Sequence, residues 1–310
     1  MSIVEQIQQV FVGAVRPVSG LRGMGRVCGF FNHKFLAAGA PPIQVARMRD
    51  GTLMRLDLRS RTEWYSFYSG RYDESAVSLI RKLLSRLDGD FLDVGGNVGM
   101  YAVRIAATLG DGRRSVCFEP MPNNAERIRE NARLNGVEDR VKVHEIALSD
   151  TDGQTDLVLR EDFELGSATG NASIAISDFA DGHYKKIGVR MRRFDDVLAE
   201  MGDATFPVVK VDIEGHEDFF LRGAQNWLRR DRPIILTEVN NWYFEQRRTT
   251  SSIVFAKSLP EGYEIALLKW HGTACTLEPC GIDDLAKLGM IETCLLVPAE
   301  RRAELDQAVG

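Results

Sequence analysis

Between residues 75 and 240 the apolar positions alternate between two kinds of pattern, short continuous runs and helical stripes. Residues 75–87 read as an amphipathic helix leading into a buried strand, Phe91-Leu-Asp-Val94. Glycines follow at 95, 96 and 99. Val98, Tyr101, Ala102, Ile105, Ala106 and Leu109 then recur at i, i+3, i+4 and i+7, predicting a helix that ends at Gly110. The unit repeats. Residues 115–119 form a second strand, and a helix lies between Pro122 and Gly136 with Ala125, Ile128 and Ala132 as its buried stripe. Residues 141–147 are a third strand and 207–212 a fourth, followed by a helix through Trp227; 233–238 are a fifth.

The flanks read differently. Ile3, Ile7, Phe11 and Ala14 stripe a short helix that Pro17 should stop, docked on its own domain or on a second subunit. Its polar face carries Glu5 and three glutamines and no lysine, which argues against a membrane-surface anchor. Residues 18–42 give no clear element. Residues 43–48 and 53–58 flank Arg49-Asp-Gly-Thr52, a hairpin signal. The aromatic-rich stretch from Thr62 to Tyr72 is either a lid or packing. Residues 154–159 and 188–192 resemble an inserted strand pair around a polar segment, and 263–269 and 291–298 are late strands. Parallel strands with crossover helices make a doubly wound α/β sheet, whose ligands lie beyond the strand C-termini. Residues 1–74 are then an N-terminal extension and 75–310 one elaborated domain.

Composition narrows the function. A net charge of −5 argues against a nucleic-acid binder, although residues 1–60 hold eight Lys/Arg against three Asp/Glu and leave −10 for the rest. Five cysteines with no C-x-x-C suit reduced thiols in a cytoplasmic protein. His271, Cys275 and Cys280 have the wrong spacing for common zinc motifs. No run of eighteen apolar residues exists, and the N-terminus does not read as a signal peptide.

Four core strands end in carboxylates: Asp93, Glu119, Asp212 and Glu238. A buried carboxylate needs partners, so the repetition points to a ligand at the sheet edge. Gly95 and Gly96 let the backbone approach that ligand. The turn lacks the Lys-Ser/Thr of a phosphate-cradling loop and is not a regular G-x-G-x-x-G. Its Asp-x-Gly-x-x-x-Gly form is usual in S-adenosylmethionine (SAM) methyltransferases, while a nicotinamide site or a structural turn remains open. Glu119, 26 residues after Asp93, is placed to take both hydroxyls of a ribose.

The chain resembles the FkbM-type SAM-dependent methyltransferases in Asp93-Val-Gly-Gly-Asn-Val-Gly99, Phe118-Glu-Pro-Met-Pro-Asn-Asn124, Ala147-Leu-Ser-Asp150 and Lys210-Val-Asp-Ile-Glu-Gly-His-Glu217. The resemblance covers about residues 75–240. It implies a seven-stranded, Rossmann-like sheet with an antiparallel seventh strand, SAM as donor, and O-methylation in glycan or secondary-metabolite biosynthesis. It also implies Asp93, Gly95, Gly96, Asn97, Gly99, Glu119, Pro120, Ala147 and Asp212 as cofactor residues, and His216, Asp212, Lys210 and Glu214 as catalytic ones. Gly96 stands where the family usually has alanine, a change expected to be harmless.

Two designs suit the fourth-strand motif. In one, His216 or a carboxylate takes the acceptor proton. In the other, Asp212, Glu238 and Asn240 or Asn241 hold a divalent cation. The metal-free design is preferred. Lys210 and Asp212 share a face of a regular strand and can simply form an ion pair. A nicotinamide-dependent oxidoreductase and a non-catalytic SAM-binding protein are the competing readings. The expected partner is a small-molecule or glycan acceptor, with no nucleic acid and no stable membrane anchor; a homo-oligomer would form through the extension.

Overall fold

A computed structural model describes residues 2–159, 166–167, 172–175, 183–271 and 274–309. Helices α1 (Ile3–Val15) and α2 (Met24–Ala37) precede the hairpin β1 (Ile43–Arg47) and β2 (Leu53–Asp57). Helices α3 (Arg61–Ser69) and α4 (Glu74–Leu84) then lead into β3 (Phe91–Val94). α5 (Ala102–Ala106), β4 (Ser115–Phe118), α6 (Pro122–Leu134) and β5 (Val141–His144) continue the alternation. A second sheet is built from β6 (Ala147–Ser149), β7 (Gly153–Leu159), β8 (Ala172–Ile174) and β9 (Lys185–Arg193). The main sheet resumes with β10 (Val208–Val211) and β11 (Ile234–Asn240), and closes with β12 (Tyr263–His271), β13 (Ala274–Cys280) and β14 (Ile291–Pro298).

The main sheet has the order β13-β12-β14-β11-β10-β3-β4-β5. β5, β4, β3, β10 and β11 are mutually parallel, and β14 is antiparallel to both β11 and β12. Seven strands therefore follow the expected Rossmann-like plan, with an antiparallel seventh strand between the fifth and sixth. The eighth, β13, is an addition that the sequence reading missed. Its Pro279 cannot donate to a ladder, and an edge position tolerates this.

Other departures have local causes. The run 141–147 is two strands: β5 pairs in the main sheet, whereas β6 pairs parallel with β9 in the second sheet. The helix after the glycine turn starts late, because Asn97 (φ 50°) and Gly99 (φ 87°) are left-handed. α2 was illegible because Val27, Phe30 and Phe31 remain exposed beside the buried Cys28 and Phe35, which spoils the stripe. Gly29 in that helix lies against the Trp64 ring, 3.1 Å from where a Cβ would stand.

The N-terminal segment shares a core with the sheet. Val12, Phe35, Leu56, Phe67 and Tyr68 pack in one cluster with Val98, Ala102, Cys117 and Ile128. β2 is clipped to α6 by Asn135 and Asn131, whose side-chain oxygens accept Leu53 N–H (2.8 Å) and Arg55 N–H (2.7 Å). Buried Arg104 pairs with Asp50 of the hairpin turn (2.8 Å) and with Glu74 (2.7 Å). Among the described residues no helix is long and apolar enough to cross a membrane.

Candidate active site

The C-terminal ends of β3, β4 and β10 surround a cleft. Gly95, Gly96, Asn97, Glu119, Pro120 and Ala147 line one part of it; Lys210, Asp212, Glu214 and His216 line another. The second sheet closes one wall with Leu157, Ala172 and Ile174, and Thr62 and Tyr72 reach in from the N-terminal segment. The aromatic stretch thus divides its labour: Phe67 and Tyr68 are core, whereas Thr62 and Tyr72 face the cleft.

The glycine turn is held tightly. Gly95 has φ 83°, and a Cβ on it would collide with the Asp212 carbonyl oxygen. Glu119 accepts Asn97 N–H (2.8 Å) on one oxygen and Met121 N–H (2.9 Å) on the other. Burial pushes its carboxyl up to about 7, against the pull of those two N–H groups. These two N–H groups and Asn124 take three of its four lone-pair positions, which leaves one for a ligand hydroxyl. Asn124, the last residue of the Phe118–Asn124 motif and not among the expected cofactor residues, also lines the cleft and bonds this carboxylate.

Asp93 and Gly99 do not face the cleft. Asp93 is fully buried beneath the turn, where its carboxylate accepts Ala102 N–H at 3.0 Å and lies 3.7 Å from Lys210 Nζ. It shapes the turn from below. Gly99 packs against Val103 and Ile128. Lys210 donates to Gly95 O (3.0 Å) and pairs with Asp212 (3.4 Å), the ion pair expected of two residues on one face. Burial opposes its charge, but Asp212 and Asp93 outweigh that and hold the ammonium well above its ordinary range. It is a fixed cation that braces the turn, not a proton acceptor.

Past β10 the backbone turns sharply. Glu214 (φ 53°) and Gly215 (φ 88°) are left-handed, and Gly215 lies against the Tyr243 ring. Buried Glu217 accepts Ile213 N–H (3.1 Å) and Gly215 N–H (3.2 Å), and Tyr243 Oη donates to Glu214 at 3.2 Å. His216 precedes the helix Glu217–Gly223. Its Nε2 lies 3.0 Å from Ser149 Oγ, and its ring stacks on Phe219 with centroids 4.1 Å apart. Burial lowers its pKa to about 4, so the imidazole is neutral at physiological pH.

The cation design finds its residues otherwise engaged. Asn240 caps the helix Asn241–Gln246 by accepting Trp242 N–H at 3.2 Å, and Asn241 bonds Leu285 O and Ser251 Oγ. Glu238 lies outside the cleft lining, its carboxyl raised to about 8 by burial and by Asp212, Glu214 and Glu217. Among the described residues no group of three His, Cys, Asp or Glu is arranged to hold a metal ion.

Comparison with known proteins agrees with this geometry. The chain is 29% identical over 208 residues to the 2-O-methyltransferase NoeI of Sinorhizobium fredii, spanning 63% of this chain and 81% of that one. It is 31% identical over 209 residues to the hexuronic acid methyltransferase AglP of Haloferax volcanii, spanning 60% and 78%. The crystal structure of methyltransferase FkbM from Methylobacillus flagellatus superposes with a TM-score of 0.42 at 16% identity, over 68% of this chain and 43% of that one, too slight a likeness to add to the strand order. Residues 93–269, more than half of the chain, match the methyltransferase FkbM domain, and the chain belongs to that family of SAM-dependent methyltransferases.

Proposed function

We propose that the protein methylates a hydroxyl of a sugar in glycan biosynthesis, acting through the cleft at the ends of β3, β4 and β10. The observation that carries the reading is the pairing, in one cleft, of a ligand-ready carboxylate (Glu119) beside a side-chain-free turn with a neutral imidazole (His216). The relatives that act on a 2-O position and on a hexuronic acid support a sugar acceptor.

The cleft fits SAM on its own evidence. A Cβ on Gly95 would meet the Asp212 carbonyl and one on Gly96 the Cys117 sulfur, so the turn is held to bare backbone beside the cleft, and Glu119 presents a carboxylate suited to ribose hydroxyls. Phe118, Ile146 and Leu148 supply apolar surface for a flat ring. When bound, SAM supplies an activated methyl group. The chain supplies alignment, worth up to about 7–11 kcal/mol in well-oriented systems, and an acceptor for the hydroxyl proton, worth about 10²–10⁴-fold. His216 takes that proton; Asp212 and Glu214, fixed by Lys210 and Tyr243, orient the acceptor.

Calorimetric titration tests the cofactor reading. SAM and S-adenosylhomocysteine should bind and NAD should not, and Glu119→Ala should weaken SAM by about 1–3 kcal/mol. Tight NAD binding, or SAM affinity indifferent to Glu119→Ala, would sink it. A screen of sugar acceptors for methyl transfer tests the rest.

Residues 1–74 act as an extension to the catalytic domain 75–310. Exposed Ile3, Ile7 and Val10 on one face of α1 support a contact with a second copy, and five free cysteines support a cytoplasmic location.

A further inference from the structure

A second groove lies beside the cleft and shares Thr62 and Tyr72 with it. It runs from the start of α2 along α3 to the start of α4, so the N-terminal segment supplies all of it but Ser75 and Ala76. Arg22, Arg26, Arg61 and Arg71 line it. Among the described residues Arg22, Arg26 and Arg71 form no ion pair, and Arg71 Nε is buried without a hydrogen-bond partner. The two acids on the groove wall are already engaged: Asp73 accepts Tyr101 Oη at 2.9 Å, and Glu74 pairs with Arg104. Among the described residues the groove therefore holds three arginines outside any ion pair, next to a site that must receive an acceptor.

Two further features define what fits. Half-buried Trp64 and exposed Tyr65 line the same groove, offering flat apolar surface of the kind on which the carbon faces of a pyranose ring rest. α2 is 14 residues long and begins at Gly23 without a side-chain cap, so its positive end adds to the arginines. Arginine's planar donor fork matches carboxylate and phosphate oxygens alike.

We infer that this groove binds the anionic part of the acceptor, a sugar that carries a carboxylate or is joined to phosphate. The sugar lies on Trp64 and Tyr65 with its negative group among Arg22, Arg26 and Arg71. The neighbouring residue of the same acceptor passes Thr62 and Tyr72 into the cleft. The inference rests on the reading of that cleft as a sugar methylation site. A long polyanion such as single-stranded nucleic acid is disfavoured, because the chain outside residues 1–60 carries −10.

Calorimetry on the full chain tests it, with and without saturating S-adenosylhomocysteine. The probes are tetragalacturonate, UDP-glucose, neutral maltotetraose and octathymidylate. One of the two anionic sugars should bind at least about tenfold more tightly than maltotetraose. The double variant Arg22→Ala/Arg26→Ala, which removes two exposed side chains, should weaken that binding about tenfold or more, Arg26→Lys less, and S-adenosylhomocysteine affinity should stay unchanged. Preference for tetragalacturonate assigns a carboxylate; preference for UDP-glucose assigns a phosphate. Equal binding of the neutral tetramer, binding indifferent to the arginines, no sugar binding, or tightest binding of the oligonucleotide overturns the inference. Failure of S-adenosylhomocysteine to bind wild-type protein is instead a failure of the methylation reading, which the ligand-free titrations keep separate.

Discussion

A Cβ on Gly96, whose N–H donates to Phe118 O at 3.3 Å, would overlap the Sγ of Cys117. The glycine of the first turn and the cysteine of the second strand thus occupy one space between them. Glycine at 96 is a harmless replacement for the family's usual alanine by expectation from the sequence, but in this chain the reverse change is not free. Gly96→Ala should destabilise the fold by about 1–3 kcal/mol, the usual cost of overpacking. Gly96→Ala/Cys117→Ala should recover much of that loss. Urea unfolding of the two single variants and the double checks it, and strict additivity would show that the two sites do not share space.

Lys210 stands directly opposite Asp93 in the register of two parallel strands, both side chains buried. Lys210→Met leaves Asp93 without its counter-charge and should cost about 3–5 kcal/mol. Adding Asp93→Asn removes the stranded charge and should return part of it. A loss under about 1 kcal/mol in chemical denaturation of Lys210→Met would mean that the turn does not depend on the pair.

The raised carboxyl of Glu119 makes cofactor binding sensitive to pH. Its folded value of about 7 lies above the ordinary 4.5, so the ligand-free protein holds a proton that ribose hydroxyls compete to displace. SAM affinity should therefore fall as pH drops from 8 to 6, by at most about tenfold per unit below 7. Glu119→Gln should bind more weakly and without that slope. Titration calorimetry across the range decides it.

His216 titrates in the opposite sense. Burial lowers it to about 4, so the neutral base persists well below the ordinary 6.5. The unfolded chain takes up a proton near 6.5 that the folded chain refuses until about 4, and this contribution to stability is lost as pH falls across that interval. If His216 accepts the acceptor proton, kcat should hold on the acid side until about pH 4 to 5, and His216→Ala should lower kcat about 10²–10⁴-fold with SAM affinity nearly intact. EDTA should have little effect. A near wild-type rate in His216→Ala together with EDTA sensitivity would assign the chemistry to the carboxylates.

α1 faces two ways. Val12 and Val15 are buried, and buried Gln8 donates to Tyr68 Oη at 2.9 Å, while Ile3, Ile7 and Val10 stay exposed. Deleting residues 1–16 should lower the thermal midpoint through the first set. Ile7→Glu/Val10→Glu should reduce the particle size in light scattering at unchanged midpoint; a size unaffected by these charges would remove the second copy from consideration.

The core strands were legible because each is a short apolar run bounded by glycine or a carboxylate, and burial on both faces demands such runs. The cleft was legible where chemistry sits on the backbone path, at Gly95, Glu119, Asp212 and His216. It was not legible where the chain folds back. Asp93 ends a strand as Glu119 nearly does, yet its carboxylate turns under the loop to meet Ala102, and no spacing rule separates the two. Thr62, Tyr72 and the arginine groove come from a segment whose helix α2 keeps exposed apolar residues and three glycines within or beside it, so its stripe is broken. Residues 161–165, 168–171 and 176–182 of the polar insertion lie outside the described residues.

The placement of β14 has a consequence for biosynthesis. Residues 291–298 fill the gap between β11 and β12, so the sheet's interior is completed by a strand synthesised after both of its neighbours. Until then β11 and β12 each present an unpaired edge, the kind of surface through which nascent chains associate wrongly. The helix Arg302–Val309 then buries Leu305 and Ala308 against Leu79 and Leu83 of α4, the helix that precedes the first parallel strand. A chain stopped before Ile291 retains every residue of the cleft and still lacks the strand that makes their sheet continuous.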